Sequence, residues 1–421
     1  MISLSGKCRK VGIETCCNNQ PSYYILQVTN LNMQVDFKEH QLLEEVKKIR
    51  PIIKWTGGKY DEYPMFSYYI PPFNNYYEPF FGGGGVFFAA KPAGFSFLND
   101  KSKDLIAFYS LIQSAKLEQQ LLHYATAWDD AKHFAIASIP AVLITFKKYL
   151  LNAIDEKELH LKMQDVVKEF SASAEYLFFK EEFIIDKKAF SKKLAHSMAD
   201  KIRRIANICA KENKSFSEAQ LIDHIETGIK SGLYLYLRTL MNNVAAGTLI
   251  MQEEKAVANW YFVREFCYAS MFRFNAKGEF NIPYGGIAYN RKDFRQKVKN
   301  IFTPGMKKLF DLATFHNYDF EKFLAMNQPA EGDFIFVDPP YDSEFSEYDQ
   351  SAFTKDDQVR LRDVLVKTPA QMMMVIKETD FIRNLYSGHC KLIRFDKTYT
   401  YNVRGRNNRE TQHLIIINYD I

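Results

Sequence analysis

The strongest chemical signal in the sequence is the segment 334–341, which reads FIFVDPPY. Its apolar residues predict a buried strand that delivers Asp338 to the edge of a sheet. Pro339 and Pro340 then fix φ and remove two N–H donors, so the turn is rigid. The turn offers the carboxylate of Asp338 and the carbonyl of Pro339 as acceptors, with the ring of Tyr341 beside them. The alternative is a plain β-turn, for which Asp-Pro-Pro is equally suited.

These groups suit a substrate that carries an exocyclic amine on a planar ring. The two acceptors can take the two hydrogens of the amine while the aromatic side chain stacks on the ring. The amine is a poor nucleophile because its lone pair is delocalised. Holding both hydrogens favours a pyramidal nitrogen that can attack a sulfonium methyl. No covalent intermediate is needed, and no cysteine lies near the segment.

A second signal is the glycine run in Glu78–Phe87, which reads EPFFGGGGVF. Glycines between a strand and a helix let the backbone approach a nucleotide-like ligand. No GK[ST] follows, so an ATP-hydrolysing loop has no support. Asp100 ends the next predicted strand, FSFLND, where its carboxylate can accept both hydroxyls of a ribose or cap the following helix. It lies 15 residues after Gly85, a spacing that does not exclude NAD.

Charge and composition favour a partner rich in phosphates. Residues 110–300 contain 28 Lys and Arg against 22 Asp and Glu, whereas the rest of the chain has 27 against 28, so the positive excess lies in the middle. A solvated lysine-rich helical surface would give the same count. Aromatic residues make up 15% of the chain, which mildly favours stacking on bases.

Cysteines, histidines and hydropathy argue against a metal-binding protein and against a membrane-spanning protein. The six cysteines and nine histidines show no metal-ligand spacing, so no metal site is predicted. A reduced, cytoplasmic setting fits the cysteines, and no stretch approaches the roughly 20 apolar residues of a membrane span.

The chain has an α/β texture that a long helical segment interrupts. Residues 1–45 are interpreted as an N-terminal extension and 46–114 as the first part of a catalytic domain. Residues 115–300 are predicted to be mainly helical, and strands return in 301–421, the second part of the catalytic domain. Buried strands are predicted at FSFLND (95–100), FIFVD (334–338), MMMVIK (372–377) and HLIIINY (413–419).

The order KWTGGK, EPFFGGGGVFF, LND, RFNAKGEFNIPYG, DPPY and RGRNNRETQHLIIINY resembles the Dam-like, α-class (D12) DNA adenine-N6 methyltransferases. The resemblance implies a Rossmann-like sheet that binds S-adenosylmethionine (AdoMet), with a large helical DNA-recognition domain inserted into it. It also implies catalysis by Asp338, Pro339, Pro340 and Tyr341 on a base flipped out of the duplex. The residues that it implies for AdoMet binding are Lys54, Trp55, Gly57, Gly58, Lys59, Glu78, Pro79, Phe80, Gly82, Gly84, Val86, Asp100, Asp319, Phe320 and Asp338.

The resemblance also implies a partner, double-stranded DNA, and candidate contacts with it. Arg273 and Lys277 lie in RFNAKGEFNIPYG, and Arg404, Arg406 and Arg409 precede the last strand. A basic run in 291–299 suits either phosphate contact or a solvated helix face. Tyr348 and Phe353 are candidates for the wall of the base pocket, and ordinary packing is the alternative. A cognate restriction endonuclease is a further partner that the family implies.

Three other functions remain open from the sequence. Cytosine-N4 methylation uses the same amine chemistry, but its tetrapeptide more often begins with Ser. Protein glutamine methylation usually has Asn at that position. A non-catalytic DNA-binding subunit would keep the fold, and the intact acceptor set and glycine loop argue against it. The leading Asp338 therefore favours adenine.

Overall fold

A computed structural model of the chain describes residues 49–172, 179–341, 353–398 and 410–421. The N-terminal extension predicted for 1–45 lies outside the described residues, as do Tyr348, Arg404, Arg406 and Arg409.

The central element of the described chain is a seven-stranded sheet with the order β3-β2-β1-β4-β5-β7-β6. Neighbouring strands from β3 to β5 pair in parallel, and β7 runs antiparallel to both β5 and β6. The strands are β1 (Tyr76–Glu78), β2 (Ser96–Asn99), β3 (Ala313–His316), β4 (Phe334–Val337), β5 (Gln371–Lys377), β6 (Lys391–Thr398) and β7 (Glu410–Ile417).

The four predicted strands are confirmed as β2, β4, β5 and β7, and the mixed α/β class is confirmed with them. Each of the four contains the continuous apolar run of a strand buried on both faces. The sequence did not predict β1, β3 or β6. β1 has only three residues, and the side chains of β3 are half-buried or exposed. β6 is an edge strand with charged positions, so none of the three shows an apolar run.

Helices that alternate with the strands connect and cover the sheet. The bounds of the helices outside the long helical segment are α1 (Tyr63–Phe66), α2 (Gly85–Ala90), α3 (Lys103–Ser110), α9 (Phe294–Ile301), α10 (Pro304–Phe310), α11 (Phe320–Asn327), α12 (Lys355–Leu365) and α13 (Asp380–Tyr386). Of these, α2 follows β1, α3 follows β2, α11 follows β3, α12 follows β4 and α13 follows β5.

Five longer helices lie between β2 and β3 in the chain, which confirms the predicted helical content. They are α4 (Ala115–Leu150), α5 (Glu156–Ala172), α6 (Lys187–Glu212), α7 (Glu218–Ala245) and α8 (Glu253–Phe266). Side chains cap three of them: Ser114 begins α4, Asp186 begins α6, and Ser217 begins α7 with Gln220 completing a capping box. Within the described ranges, no helix combines the length and the apolar character that crossing a bilayer requires.

Two glycines on one face of α7 allow it to pack closely against α6. A Cβ added at Gly232 would lie 2.8 Å from the Cα of Leu194, and one added at Gly228 would lie 3.3 Å from the Cα of Met198. The backbones therefore approach each other where any larger residue would separate them. Glycine costs roughly 1 kcal/mol in a helix relative to alanine, and the close packing compensates for that cost.

We expect Gly232→Ala to lower the free energy of unfolding by about 1–3 kcal/mol. The new methyl group meets the backbone of α6, and overpacking then outweighs the roughly 1 kcal/mol gained in helix propensity. Urea unfolding followed by circular dichroism measures the change. Ser231→Ala, at the neighbouring position, is the control and should change stability by less than about 0.5 kcal/mol. A stabilised Gly232→Ala protein would contradict the packing argument.

Candidate active site

The predicted site residues converge because four parallel strands end at the same edge of the sheet. β1 leads into Glu78 and the glycine loop, and β4 leads into Asp338. β2 ends at Asn99, and β3 is followed closely by Asp319. β1 and β4 are neighbours at the point where the strand order reverses direction. In open α/β sheets, ligands bind beyond the carboxyl ends of the strands at this switch point.

A cavity of about 710 Å³ opens at that edge, a size in the range of small-molecule and cofactor sites. Phe353, a predicted wall of the base pocket, also lines it. The predicted site residues that line it are Trp55, Gly57, Gly58, Lys59, Glu78, Pro79, Phe80, Gly82, Val86, Asp100, Asp319, Phe320, Asp338, Pro339, Pro340 and Tyr341.

Two residues predicted to bind AdoMet do not line the cavity. The side chain of Lys54 is exposed to solvent. Gly84 begins α2 with a left-handed φ of 70°, and a Cβ there would lie 2.7 Å from the ring of Phe81. The conformation and packing of this turn explain Gly84 without a ligand.

An ion pair between Lys59 and Asp338 lies in the wall of the cavity. The Nζ of Lys59 donates to Oδ1 and Oδ2 of Asp338 at 2.7 and 2.8 Å, to the Tyr341 hydroxyl at 3.1 Å and to the carbonyl of Gly57 at 2.9 Å. The lysine side chain is 1% exposed and that of Asp338 is 18% exposed. Burial is the largest influence on the pKa of Lys59 and would lower it, but the charge and hydrogen bond of Asp338, together with Tyr341 and Glu62, raise that pKa above its usual value.

Two further side chains position the turn after β4. Gln358, fully buried on α12, donates to the carbonyl of Pro340 at 3.0 Å. The hydroxyl of Tyr341 lies 3.4 Å from Nε2 of His413 on β7. One side chain of α12 and one of β7 therefore hold the turn in position. Pro339 and Asp338 both line the cavity.

The glycine loop packs directly against the segment that contains Trp55 and Lys59. A Cβ on Gly82 would lie 2.9 Å from the Trp55 ring, and one on Gly83 would lie 2.9 Å from the Cβ of Trp55. A Cβ on Gly85 would lie 2.8 Å from the backbone nitrogen of Lys59. Contacts within the protein thus require these glycines, which is the simple turn geometry that the sequence left open beside a ligand-binding role.

Asn99 and Asp100 connect the loops that surround the cavity. The buried Asn99 side chain donates to the carbonyls of Pro79 and Tyr318 and accepts from the N–H of Tyr318. Asp100 accepts from the N–H of Gly82 and of Ser102, both at 2.8 Å. The N-cap of α3 is Ser102, whose side chain accepts from the N–H of Leu105, so Asp100 is not the helix cap that the sequence offered as an alternative. Asp100 instead connects the glycine loop to the residue that caps α3.

Glu78 is a buried carboxyl group at the centre of the site. It is 2% exposed and accepts a hydrogen bond from the Tyr76 hydroxyl at 2.8 Å. Burial raises the pKa of Glu78 well above its usual range, and the Asp338 and Asp100 carboxylates raise it further, although the Tyr76 hydrogen bond opposes the shift. Glu78 therefore retains a proton more readily than an exposed glutamate does.

Asp319 and Phe320 begin α11 at another part of the cavity. Asp319 caps the helix through the N–H of Glu321 at 3.1 Å and forms an ion pair with Arg360 at 2.9 Å. The ring of Phe320 contacts Phe80 and Phe353, with ring centroids 5.6 and 5.8 Å away. These contacts form an aromatic wall in the lining of the cavity.

Several cavity residues were missed by sequence reasoning. Arg264, Phe272 and Phe274 line the cavity, although they come from α8 and the segment after it. Asn99 lies one residue before the predicted Asp100, and the motif LND was a signal for it. Arg264 had no local signal because its neighbours include both the loop that follows α8 and Trp55, which lies 209 positions earlier in the chain.

The predicted DNA contacts Arg273 and Lys277 are exposed and do not line the cavity. They alternate in sequence with Phe272, Phe274 and Gly278, which do line it. The two cations are therefore close in the chain to the cavity wall but face solvent.

Three cations of the basic run are paired within the protein. Lys292 and Lys297 both form ion pairs with the buried Glu265. Arg295 pairs with Asp129 at 3.0 Å. These ion pairs therefore connect α9 and the loop before it to α4 and α8. The sequence suggested either phosphate contact or a solvated helix face for this run, and internal pairing is neither of these.

Tertiary structure also brings together a histidine cluster that sequence spacing did not indicate. His160 on α5 lies beside His196 and Asp200 on α6, and their ligating atoms are within 4.8 Å of one another. Nε2 of His160 is 3.1 Å from Nδ1 of His196, and Asp200 is paired with Arg203 at 3.0 Å. These groups already satisfy one another, and none of them lines the cavity.

Comparison with known proteins identifies the family. The model of the D12 class N6 adenine-specific DNA methyltransferases matches residues 55–224 and 179–401. The chain is similar to the Type II methyltransferase M.CviBI of Paramecium bursaria Chlorella virus NC1A, with 24% identity over 88% of this chain and 100% of that protein. It is also similar to the DNA adenine methylase of Vibrio cholerae, with 22% identity over 86% and 94% of the two chains.

A shorter match covers 28% of this chain and 40% of the retron Ec67 DNA adenine methylase of Escherichia coli, with 38% identity. The family and these names confirm the resemblance that the motifs indicated. They do not favour cytosine-N4 methylation or a non-catalytic subunit. With the strand order, the cavity and the DPPY turn, the match over residues 55–401 shows that the chain belongs to the D12 class of N6 adenine-specific DNA methyltransferases.

Proposed function

We propose that this chain transfers the methyl group of AdoMet to N6 of an adenine that is flipped out of double-stranded DNA. The observation that carries the proposal is the placement of the Lys59–Asp338–Tyr341 cluster in the same cavity as the glycine loop and Asp100. A base that carries an exocyclic amine and a nucleoside cofactor would both find their complementary groups there.

The residues of the cavity fit AdoMet in charge and shape. The carboxylate of Asp100 suits a ribose, and the aromatic wall of Phe80, Phe320 and Phe353 suits an adenine ring. The glycine loop and residues 55–59 would enclose the methionine part, in a Rossmann-like arrangement at the switch point. When bound, AdoMet supplies an electrophilic methyl group on a sulfonium ion.

Asp338, Pro339 and Tyr341 would prepare the amine of the target base. Each Asp338 oxygen accepts from Lys59, and a carboxylate oxygen can accept more than one hydrogen bond. Asp338 and the Pro339 carbonyl would hold the two amine hydrogens, which directs the nitrogen lone pair away from the ring. Tyr341 would stack on the base. Lys59 stabilises the carboxylate as an acceptor and orients it, so the chain requires no nucleophile of its own.

DNA binding would involve the exposed cations and the helical segment. Arg273 and Lys277 lie beside the cavity wall in the chain, so they are placed to contact DNA from which a base has been flipped. We infer that 115–300 is the inserted recognition domain, and that Arg404, Arg406 and Arg409 contact phosphates. The Type II names of relatives support a restriction endonuclease as a cellular partner.

We expect Asp338→Asn to reduce methyl transfer at least about 100-fold, because it replaces a charged acceptor with a group that offers an amide donor. Incorporation of tritium from labelled AdoMet into unmethylated DNA measures transfer, and digestion to nucleosides identifies the base. Asp356→Asn, an exposed change at the start of α12, is the control and should keep transfer within about threefold. Undiminished transfer by Asp338→Asn, or label on cytosine, would contradict the proposal.

Removing one partner of the buried ion pair should lower the free energy of unfolding more than removing both partners does. We expect Lys59→Met to lower the free energy of unfolding by about 3 kcal/mol, since it leaves Asp338 without its cation. Adding Asp338→Asn should recover part of this loss. The measurement is urea unfolding of the three variants and the wild type. Because the pKa of Lys59 is raised above its ordinary value of 10.5, deprotonation of the lysine removes its contribution only as the pH rises beyond that value, while Asp338 must be ionised for the pair to exist.

Arg273→Ala and Lys277→Ala should each weaken DNA binding and reduce its dependence on salt. Each lost phosphate contact lowers the slope of log affinity against log salt by about 0.9. Fluorescence anisotropy with a labelled duplex between about 50 and 200 mM salt measures the slope. Lys367→Ala is the matched control, because Lys367 is exposed just before β5, at the opposite edge of the sheet. An unchanged slope in both variants would remove these residues from the DNA interface.

A further inference from the structure

Arg264 is a buried cation without an ion-pair partner among the described residues. It lies in the last turn of α8 and is 4% exposed. One Nη donates to the carbonyl of Met271 at 2.9 Å, and the other lies 3.4 Å from the carbonyl of Ser270. Its Nε is buried and has no hydrogen-bond acceptor. The guanidinium therefore holds two loop carbonyls but retains an unused N–H.

The other buried cations among the described residues have counterions. Lys59 is paired with Asp338, and Lys230 is paired with Glu226 at 2.6 Å. Glu265, next to Arg264 in the sequence, has two lysine partners. An uncompensated buried charge is expensive, and burial lowers the pKa of Arg264. This exception therefore calls for an anion that is supplied from outside the chain.

The position of Arg264 indicates where that anion would bind. The guanidinium carbon lies 5.5 Å from the centre of the Trp55 ring and 4.7 Å from that of Phe272. Trp55 also packs on Gly82 and Gly83. Arg264, Trp55 and Phe272 all line the cavity. The cation thus lies beside the part of the cavity that the glycine loop and residues 55–59 enclose.

The charges of the described cavity lining identify the kind of anion. Its acidic residues are Glu78, Asp100, Asp319, Asp338 and Asp357, whereas its basic residues are Lys59, Lys101 and Arg264. Lys59 is committed to Asp338, and Lys101 is exposed. Arg264 is therefore the buried cation in this lining that can serve a ligand carboxylate, and arginine binds carboxylates through paired N–H groups.

We propose that Arg264 binds the α-carboxylate of the methionine part of AdoMet, with its Nε–H and a neighbouring Nη–H as donors. The inference rests on the proposed use of AdoMet and adds a residue that selects the cofactor by its carboxylate. Arg264 acts in binding and takes no part in the chemistry at the amine.

The test compares the binding of AdoMet and of decarboxylated AdoMet, two ligands that differ by this carboxylate. Isothermal titration calorimetry gives both affinities for the wild type, Arg264→Gln and Arg264→Lys. Arg264→Gln should weaken AdoMet binding about 10-fold or more and leave the binding of decarboxylated AdoMet within about twofold. Arg264→Lys keeps the charge but lacks the planar guanidinium group. It should therefore weaken AdoMet binding less than Arg264→Gln does, and should still leave the binding of decarboxylated AdoMet unchanged.

Arg238→Gln is the matched control, because Arg238 also donates to a loop carbonyl, that of Ile282 at 2.7 Å, but does not line the cavity. It should leave both affinities unchanged. An equal loss for both ligands in the Arg264 variants would assign Arg264 to loop structure and overturn the inference. Unchanged AdoMet affinity with a reduced salt slope of DNA binding would assign it to a DNA phosphate, which also overturns it. Failure of the wild type to bind AdoMet would instead refute the proposed cofactor.

Discussion

The ion pair between Lys59 and Asp338 is the interaction on which the site depends. It joins two residues 279 positions apart and closes one wall of the cavity between the segment before β1 and the turn after β4. A buried ammonium is costly by itself, but here it gains both oxygens of the carboxylate, a carbonyl and the Tyr341 hydroxyl. The same contacts orient Asp338 and compensate its charge. One pair therefore serves folding and the geometry of the acceptor group together.

The glycine loop makes this pair possible. Residues 55–60 cross the loop so closely that side chains on Gly83 or Gly85 would collide with the backbone or Cβ atoms of that segment. Lys59 reaches Asp338 only because its backbone can lie against the start of α2. Asn99 then connects the loops after β1 and β3, and Asp100 accepts from the N–H of Gly82. The cavity is thus preorganised by hydrogen bonds between the loops that follow β1, β2 and β3, and by the ion pair that holds the turn after β4, which is the condition for positional and electrostatic catalysis.

The helical segment contributes to the cavity as well as to the surface. α8 presents Arg264, and the segment after it presents Phe272 and Phe274, so one wall is built by chain outside the sheet. Three cations of the basic run 291–299, in α9 and the loop before it, pair with Glu265 and Asp129 inside the protein. Positive charge in this region is therefore divided between internal ion pairs and exposed residues such as Arg273 and Lys277. Counting charges along the chain cannot separate these two uses, because pairing depends on which helices meet.

The sequence by itself predicted the reaction and many of the residues that line the cavity. The motif order predicted the family, and the apolar runs predicted β2, β4, β5 and β7, because a strand buried on both faces shows its burial in consecutive residues. Short or half-exposed strands such as β1 and β3 have no such signature. Only the tertiary structure decided that Lys59 pairs with Asp338, that Gly82, Gly83 and Gly85 serve contacts within the chain, and that Arg264 is buried with no counterion among the described residues. The first two depend on contacts between residues far apart in the chain, and the third depends on which charges folding brings near Arg264. The local sequence contains none of this information.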